Sequence, residues 1–76
     1  MALYFFHVRG REGDILDPDG SDLASMVAVR AEALGAVRDL VAESVKAGNG
    51  ARSSDVMRVE DETGAVVYTL GFVSFL

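Results

Sequence analysis

One long helical period dominates the chain and limits what the rest of it can be. Between about residues 22 and 47, Leu23, Val27, Ala31, Leu34, Val37, Val41 and Val45 recur three or four residues apart, the spacing of one face of an α-helix. Met26 and Leu40 widen the stripe, while Arg30, Glu32, Arg38, Asp39, Glu43 and Lys46 lie mainly away from it. Ser21 or Asp22 is placed to cap the first turn, but neither has the Glu or Gln three residues later that completes a capping box. Gly48-Asn49-Gly50 stops the helix in residues that accept a left-handed backbone. Its valines and Gly35 lower the intrinsic propensity, so packing has to hold it. A lone amphipathic helix needs a second layer, and the flanking segments have to supply it.

Those segments read as strands. Residues 2–9 are aromatic and apolar, with Leu3, Phe5 and His7 on one face and Tyr4, Phe6 and Val8 on the other. Both faces are apolar enough for a central strand. The turn Gly10-Arg11-Glu12-Gly13 leads to a short second strand over residues 14–17, ended by Asp17-Pro18-Asp19-Gly20, where Pro18 presets a turn. After a polar connection, residues 55–61 and 65–72 form a hairpin around Glu62-Thr63-Gly64, with Gly64 left-handed. If Asp61 faces Ala65, Val59 faces Val67 and Met57 faces Thr69 on the side that seats the helix. Arg58 then faces Tyr68 on the other side.

The whole chain, residues 1–76, thus reads as one α+β domain in the order β-β-α-β-β: a two-layer sandwich with a mostly antiparallel four-stranded sheet and one long helix on one face. One helix covers one face. The remaining apolar set, Tyr4, Phe6, Val8, Val66, Tyr68, Leu70, Phe72, Phe75 and Leu76, together with Val73, then needs another cover, and a homodimer is the economical one. A domain this small hides only about 60% of its unfolded surface, so a second chain would also add stability.

Charge and composition close off several functions. Twelve acids against seven bases leave a net charge of −5, which repels nucleic acid and anionic membrane surfaces. No apolar run approaches the roughly 20 residues of a membrane helix. The opening Met-Ala-Leu-Tyr-Phe-Phe-His shows no basic leader and cleavage site, so the cytoplasm is the expected compartment. With no cysteine, neither a disulfide nor a thiolate metal cage is possible.

Few residues match a catalytic or ligand-binding pattern. His7 is the sole histidine and the one candidate for acid–base work or metal ligation, with Asp14 or Asp17 as the plausible carboxylate source; packing beside Phe5 explains it more simply. Aligning Gly20 with the central glycine of an EF-hand puts Ile15 and Met26 at obligatory ligand positions, so that loop fails. Asp14, Asp17, Asp19 and Asp22 instead suit a turn and a helix N-terminus. Gly48-x-Gly50 follows a helix instead of opening one, with Ser53 where a third glycine belongs, so no phosphate loop is expected. Tyr4, Phe5 and Phe6, with Arg9, Arg11, Arg52 and Arg58, fall short of a base-stacking platform in so acidic a chain. No metal and no cofactor are expected.

The segment Tyr4-Phe5-Phe6-His7-Val8, the turn Asp17-x-x-Gly20, the alanines Ala28, Ala31 and Ala33, and the hairpin Asp61-Glu62-Thr63-Gly64-x-Val66-Val67 together resemble small bacterial proteins grouped as a domain of unknown function. The resemblance spans nearly the whole chain, implies a stand-alone bacterial domain and transfers no catalytic or binding residues. At the level of fold alone, the chain is also similar to HicB-type antitoxin domains, without the DNA-binding segment these often append. The function expected is that of a non-enzymatic, self-associating interaction or regulatory module. The alternatives are a HicB-like antitoxin that binds a basic protein partner and, third, a small hydrolase or metal-dependent enzyme built on His7.

Overall fold

Aromatic and β-branched residues at the start of the chain build its longest strand, and that strand organises the sheet. The computed structural model describes residues 2–10, 13–48 and 54–75. Within them β1 (Ala2–Gly10), β2 (Gly13–Ile15) and β3 (Ser21–Leu23) precede the helix α1 (Met26–Lys46), and β4 (Val56–Asp61), β5 (Val66–Gly71) and a 3₁₀ turn (Phe72–Phe75) follow it. All pairings are antiparallel, in the order β2-β1-β4-β5, with β3 also on β1. The fold is the expected α+β layer of one long helix on an antiparallel sheet, with five strands instead of four.

The extra strand comes from splitting one edge. β2 pairs with the end of β1 (Val8↔Ile15), and β3 pairs with its beginning (Tyr4↔Ser21), so two three-residue strands share one side of β1. Residues 21–23 are therefore strand, not helix. The helix begins after them: Ser25 is the N-cap, its hydroxyl accepting from the Ala28 N–H at 3.2 Å. Ser21 and Asp22 do not cap it, and the first turn holds no acid. At the other end the Ala47 and Gly48 N–H groups close on the Glu43 and Val45 carbonyls, ending the helix where Gly48 was expected to; Asn49 and Gly50 lie outside the described residues.

The core forms where α1 and the 3₁₀ turn meet the sheet. Val8, Val29, Ala33, Val37, Val41, Met57, Val59 and Phe72 are buried, with Tyr4, Phe6, Leu23, Ala36, Leu40, Val67, Tyr68 and Leu70 packed around them. The helix presents Val29, Ala33, Val37, Val41 and Ser44, a row rotated from the expected stripe. Val27 and Val45 are 68% and 64% exposed, and Leu34 and Ala31 also face outward. The buried row is rich in small side chains, which let the helix lie close on the sheet.

The sheet face under the helix also differs. Met57 and Val59 seat the helix as expected, but they stand opposite Val8 and Phe6 on β1, so Tyr4, Phe6 and Val8 belong to the covered face. On β5 the hairpin starts as expected, with the Asp61 N–H donating to the Ala65 carbonyl at 2.9 Å and Gly64 left-handed at φ 87°. A register shift beside Val59/Glu60 then sets Val59 opposite Tyr68 and Met57 opposite Leu70. One extra residue in β5 thereby moves Tyr68 and Leu70 to the helix side. Among the described residues, no helix is long and apolar enough to cross a membrane.

Candidate functional site

The side of the sheet away from the helix carries Leu3, Phe5, His7 and Arg9 from β1, and Arg58 and Glu60 from β4. His7 stands directly opposite Arg58, and Phe5 opposite Glu60, which brings the only histidine, a carboxylate and a guanidinium together on adjacent central strands. His7 Nε2 lies 3.7 Å from Glu60 Oε1, and Arg58 Nη2 lies 3.4 Å from Glu60 Oε2. The Nε of Arg58 is buried and makes no hydrogen bond among the described residues. The Phe5 and His7 rings are nearly parallel, 10° apart in plane, with centroids 6.4 Å apart. Arg9, further along β1, meets Asp14 of β2 at 3.6 Å in an exposed pair of small energetic weight.

The split edge supplies the fourth member. Between β2 and β3 no strand faces the middle of β1, so the Phe6 N–H would lack an acceptor; the Asp17 carboxylate takes that place, accepting from it at 3.1 Å through Oδ2. Oδ1 of the same carboxylate accepts from the Gly20 and Asp19 N–H groups at 3.1 and 3.3 Å, which folds the Asp17-Pro18-Asp19-Gly20 turn around it. In return the Asp17 N–H donates to His7 Nδ1 at 3.1 Å. Burial alone would raise the Asp17 pKa; the N–H donors of Phe6, Gly20 and Asp19, with His7 nearby, outweigh it and hold the carboxyl below its ordinary value.

A second aspartate organises the opposite corner. Asp61 Oδ1 accepts from the Thr63 hydroxyl at 2.6 Å, the Thr63 N–H at 2.9 Å and the Ala65 N–H at 3.1 Å, and these bonds, the hydroxyl's first, depress its pKa. Beside it, Glu62 Oε1 accepts from the Leu3 N–H at 3.2 Å, beyond the end of β4. These acids are turn builders with named backbone donors.

The same geometry fixes which nitrogen of His7 carries the proton. A nitrogen that accepts an N–H holds a lone pair, so the neutral imidazole carries its proton on Nε2, aimed at Glu60. In this arrangement the Nδ1 lone pair is engaged by the Asp17 N–H, and Nε2 carries the proton on the side facing Glu60. Among the described residues no three of His, Asp and Glu are grouped to hold a metal ion.

The residues expected as an interface are dispersed. Val8 and Phe72 are buried in the core, and Tyr4, Phe6, Tyr68 and Leu70 pack around it; of the set, Val66 and Val73 are exposed, at 49% and 61%. The Phe75 side chain and Leu76 lie outside the described residues, as do Arg11, Arg52 and Ser53. The cover expected from another chain comes from the chain's own helix, which turns toward these residues once β4 pairs with β1 through Val59 and Phe6. The Asp17 clasp escaped the sequence reading, although an aspartate before a Pro-x-Gly turn is the residue type that bonds its own turn and a neighbouring strand.

Neither the curated proteins nor the solved structures contain a significant match to the chain. A family model described as a domain of unknown function (DUF6894) matches residues 3–73, which takes in the helix and, but for the first residue of β1, the strands described above. The chain belongs to that family.

Proposed function

We propose that the protein is a non-enzymatic interaction module that pairs with a second copy of itself along the outer edge of β5. The observation that carries this reading is the character of that edge. Val66-Val67-Tyr68-Thr69-Leu70-Gly71 contains no charge and no proline, and among the described residues it pairs with β4 alone. Edges are ordinarily blunted by Lys, Pro, bulges or extreme shortness; here the one bulge lies near the start of β5, and Tyr68-Thr69-Leu70-Gly71 beyond it keep a regular register, with free N–H and C=O groups that template a further strand. The Asp61 N–H points to β5, so by alternation along β4 the Arg58 groups point to β1, and Thr69, opposite Arg58, turns its backbone polar groups outward.

A second copy fits better than a foreign strand. Antiparallel pairing of β5 with itself around Thr69 is a two-fold, self-complementary contact. Two chains of net charge −5 also repel least where they meet along an uncharged strip. Sedimentation across micromolar concentrations tests the proposal on the unmodified chain and on Thr69→Pro, with circular dichroism to show that the variant folds. A dimer that the folded variant loses supports it. A wild-type chain that sediments as a monomer throughout refutes it.

A further inference from the structure

We propose that the contact between His7 and Asp17 is a proton-operated latch: a second proton on the imidazole, taken from solvent at Nδ1, releases the turn of residues 16–20 from β1. The chemistry is direct. Nδ1 accepts the Asp17 N–H at 3.1 Å, and an imidazolium has no lone pair left to accept with. Protonation therefore sets two donors against each other, and rotating the ring does not help, because both nitrogens then carry hydrogen. Histidine is the side chain that ordinarily changes charge between about pH 5 and 8, and His7 is the only one in the chain.

The surroundings define what the added charge meets. The turn contributes the Asp17 carboxylate, β4 contributes Glu60 at 3.7 Å and Arg58 directly opposite, and β1 itself contributes the Phe5 ring and, two residues on, Arg9, which is paired with Asp14 of β2. The two carboxylates facing the ring, Glu60 and Asp17, attract an imidazolium, and Arg58 and Arg9 oppose it. The added proton thus draws the ring toward Glu60 and the Asp17 side chain, away from the Asp17 backbone. The Asp17 carboxyl is held below the ordinary carboxylate range and so is charged at neutral pH.

Release has a defined structural cost and product. The turn is anchored by the Asp17 N–H to His7, by the Phe6 N–H to Asp17 and by Gly20 lying against the Phe5 ring. Losing the first leaves the other two to hold a segment with exposed residues at Leu16, Pro18 and Asp19. What loosens is the backbone of the turn nearest His7, beside the gap between β2 and β3 that the Asp17 carboxylate still spans to the Phe6 N–H. The latch is independent of pairing at β5, on the opposite edge of the sheet.

Nuclear magnetic resonance on the whole isotope-labelled chain tests it. The imidazole signals of the single histidine report its protonation, and hydrogen exchange reports the protection of the Asp17 and Gly20 amides. Protection of the Asp17 amide should fall by roughly 5- to 10-fold, the factor of one hydrogen bond, with the same midpoint as the imidazole titration. His7→Asn keeps an acceptor near the Nδ1 position and cannot titrate there, so its Asp17 amide should stay protected over the same range. Should that variant fail to fold, the coincidence of the two wild-type midpoints still decides. An imidazole that titrates while Asp17 protection holds steady overturns the latch, as does one that stays neutral until the chain unfolds.

Discussion

Gly20 lies against the ring of Phe5 so closely that a Cβ added there would stand 2.8 Å from Cε2. Its φ of 73° adds a left-handed backbone that side chains resist. Gly20→Ala should therefore cost about 2–3 kcal/mol in denaturant unfolding, about 1 from backbone conformation and the rest from displacing the ring. Gly64 shares the left-handed backbone, at φ 87°, with nothing within 4 Å of its would-be Cβ. Gly64→Ala should cost only about 1 kcal/mol, and the difference between the two variants reads the Phe5 contact. Equal losses would mean that the turn does not press on the ring.

Asp17 is a strand substitute, and its removal should behave like a gap in a sheet. Asp17→Ala leaves the Phe6 and Gly20 N–H groups without their acceptor, which should cost about 1–3 kcal/mol. Asp17→Asn keeps an oxygen acceptor and should lose less. Urea titrations of both variants at neutral pH check the ranking.

Acid should weaken the fold through both depressed aspartates. A carboxyl with a folded pKa below its ordinary 3.8 binds protons less readily when folded than when unfolded. Its contribution to stability is therefore complete above that value and drains away as pH falls below it. Unfolding curves at pH 7 and pH 3 should show wild type losing more stability than Asp17→Asn, which has one fewer such group. The reverse order would contradict the bonding described at Asp17.

The rotated helix face predicts a contrast between two valines only two residues apart. Val29 is fully buried and Val27 is 68% exposed. Val29→Ala should cost about 2 kcal/mol, whereas Val27→Ala should stay within about 0.5 kcal/mol of wild type. Thermal melting separates these outcomes readily in so small a domain.

Phe72 closes the core from beyond the sheet. It is the largest fully buried side chain among the described residues, and its N–H donates to the Asp55 carbonyl at 3.0 Å. Phe72→Ala should cost about 3–5 kcal/mol, enough to leave much of the chain unfolded, and Phe72→Leu should remain folded with a smaller loss. Circular dichroism of the two proteins is the check.

Periodicity made the helix and the two long terminal strands legible, and turn chemistry located Asp17-x-x-Gly20 and Gly64. What it missed shares a cause: each depends on a neighbour that local sequence does not name. The helix carries apolar residues on more than one flank, and close approach to the sheet selected the row with Ala33 and Ser44 over the one with Val27 and Leu34. Three residues of β3 are too few for a period, so Leu23 reads from sequence as part of the helix. The β5 register depended on one unpaired residue past a correctly placed turn, and that residue decides which face holds Tyr68 and Leu70. Pairing Phe6 with Val59 is a long-range fact, and it turned the expected exposed aromatics inward. At the site, His7 was visible as a lone histidine, but its partners Arg58 and Glu60 come from a strand some fifty residues away.

The two borders of the sheet are unequal in a way that limits growth. On one side, β2 and β3 meet at a bend containing Pro18, and an incoming chain would find no straight run longer than three residues to follow. The other border is a six-residue strand whose last four, Tyr68 to Gly71, run in regular register past the bulge. If two copies join along β5 as proposed, they consume that margin and leave the interrupted one outside, so the same contact would not lengthen into a ribbon.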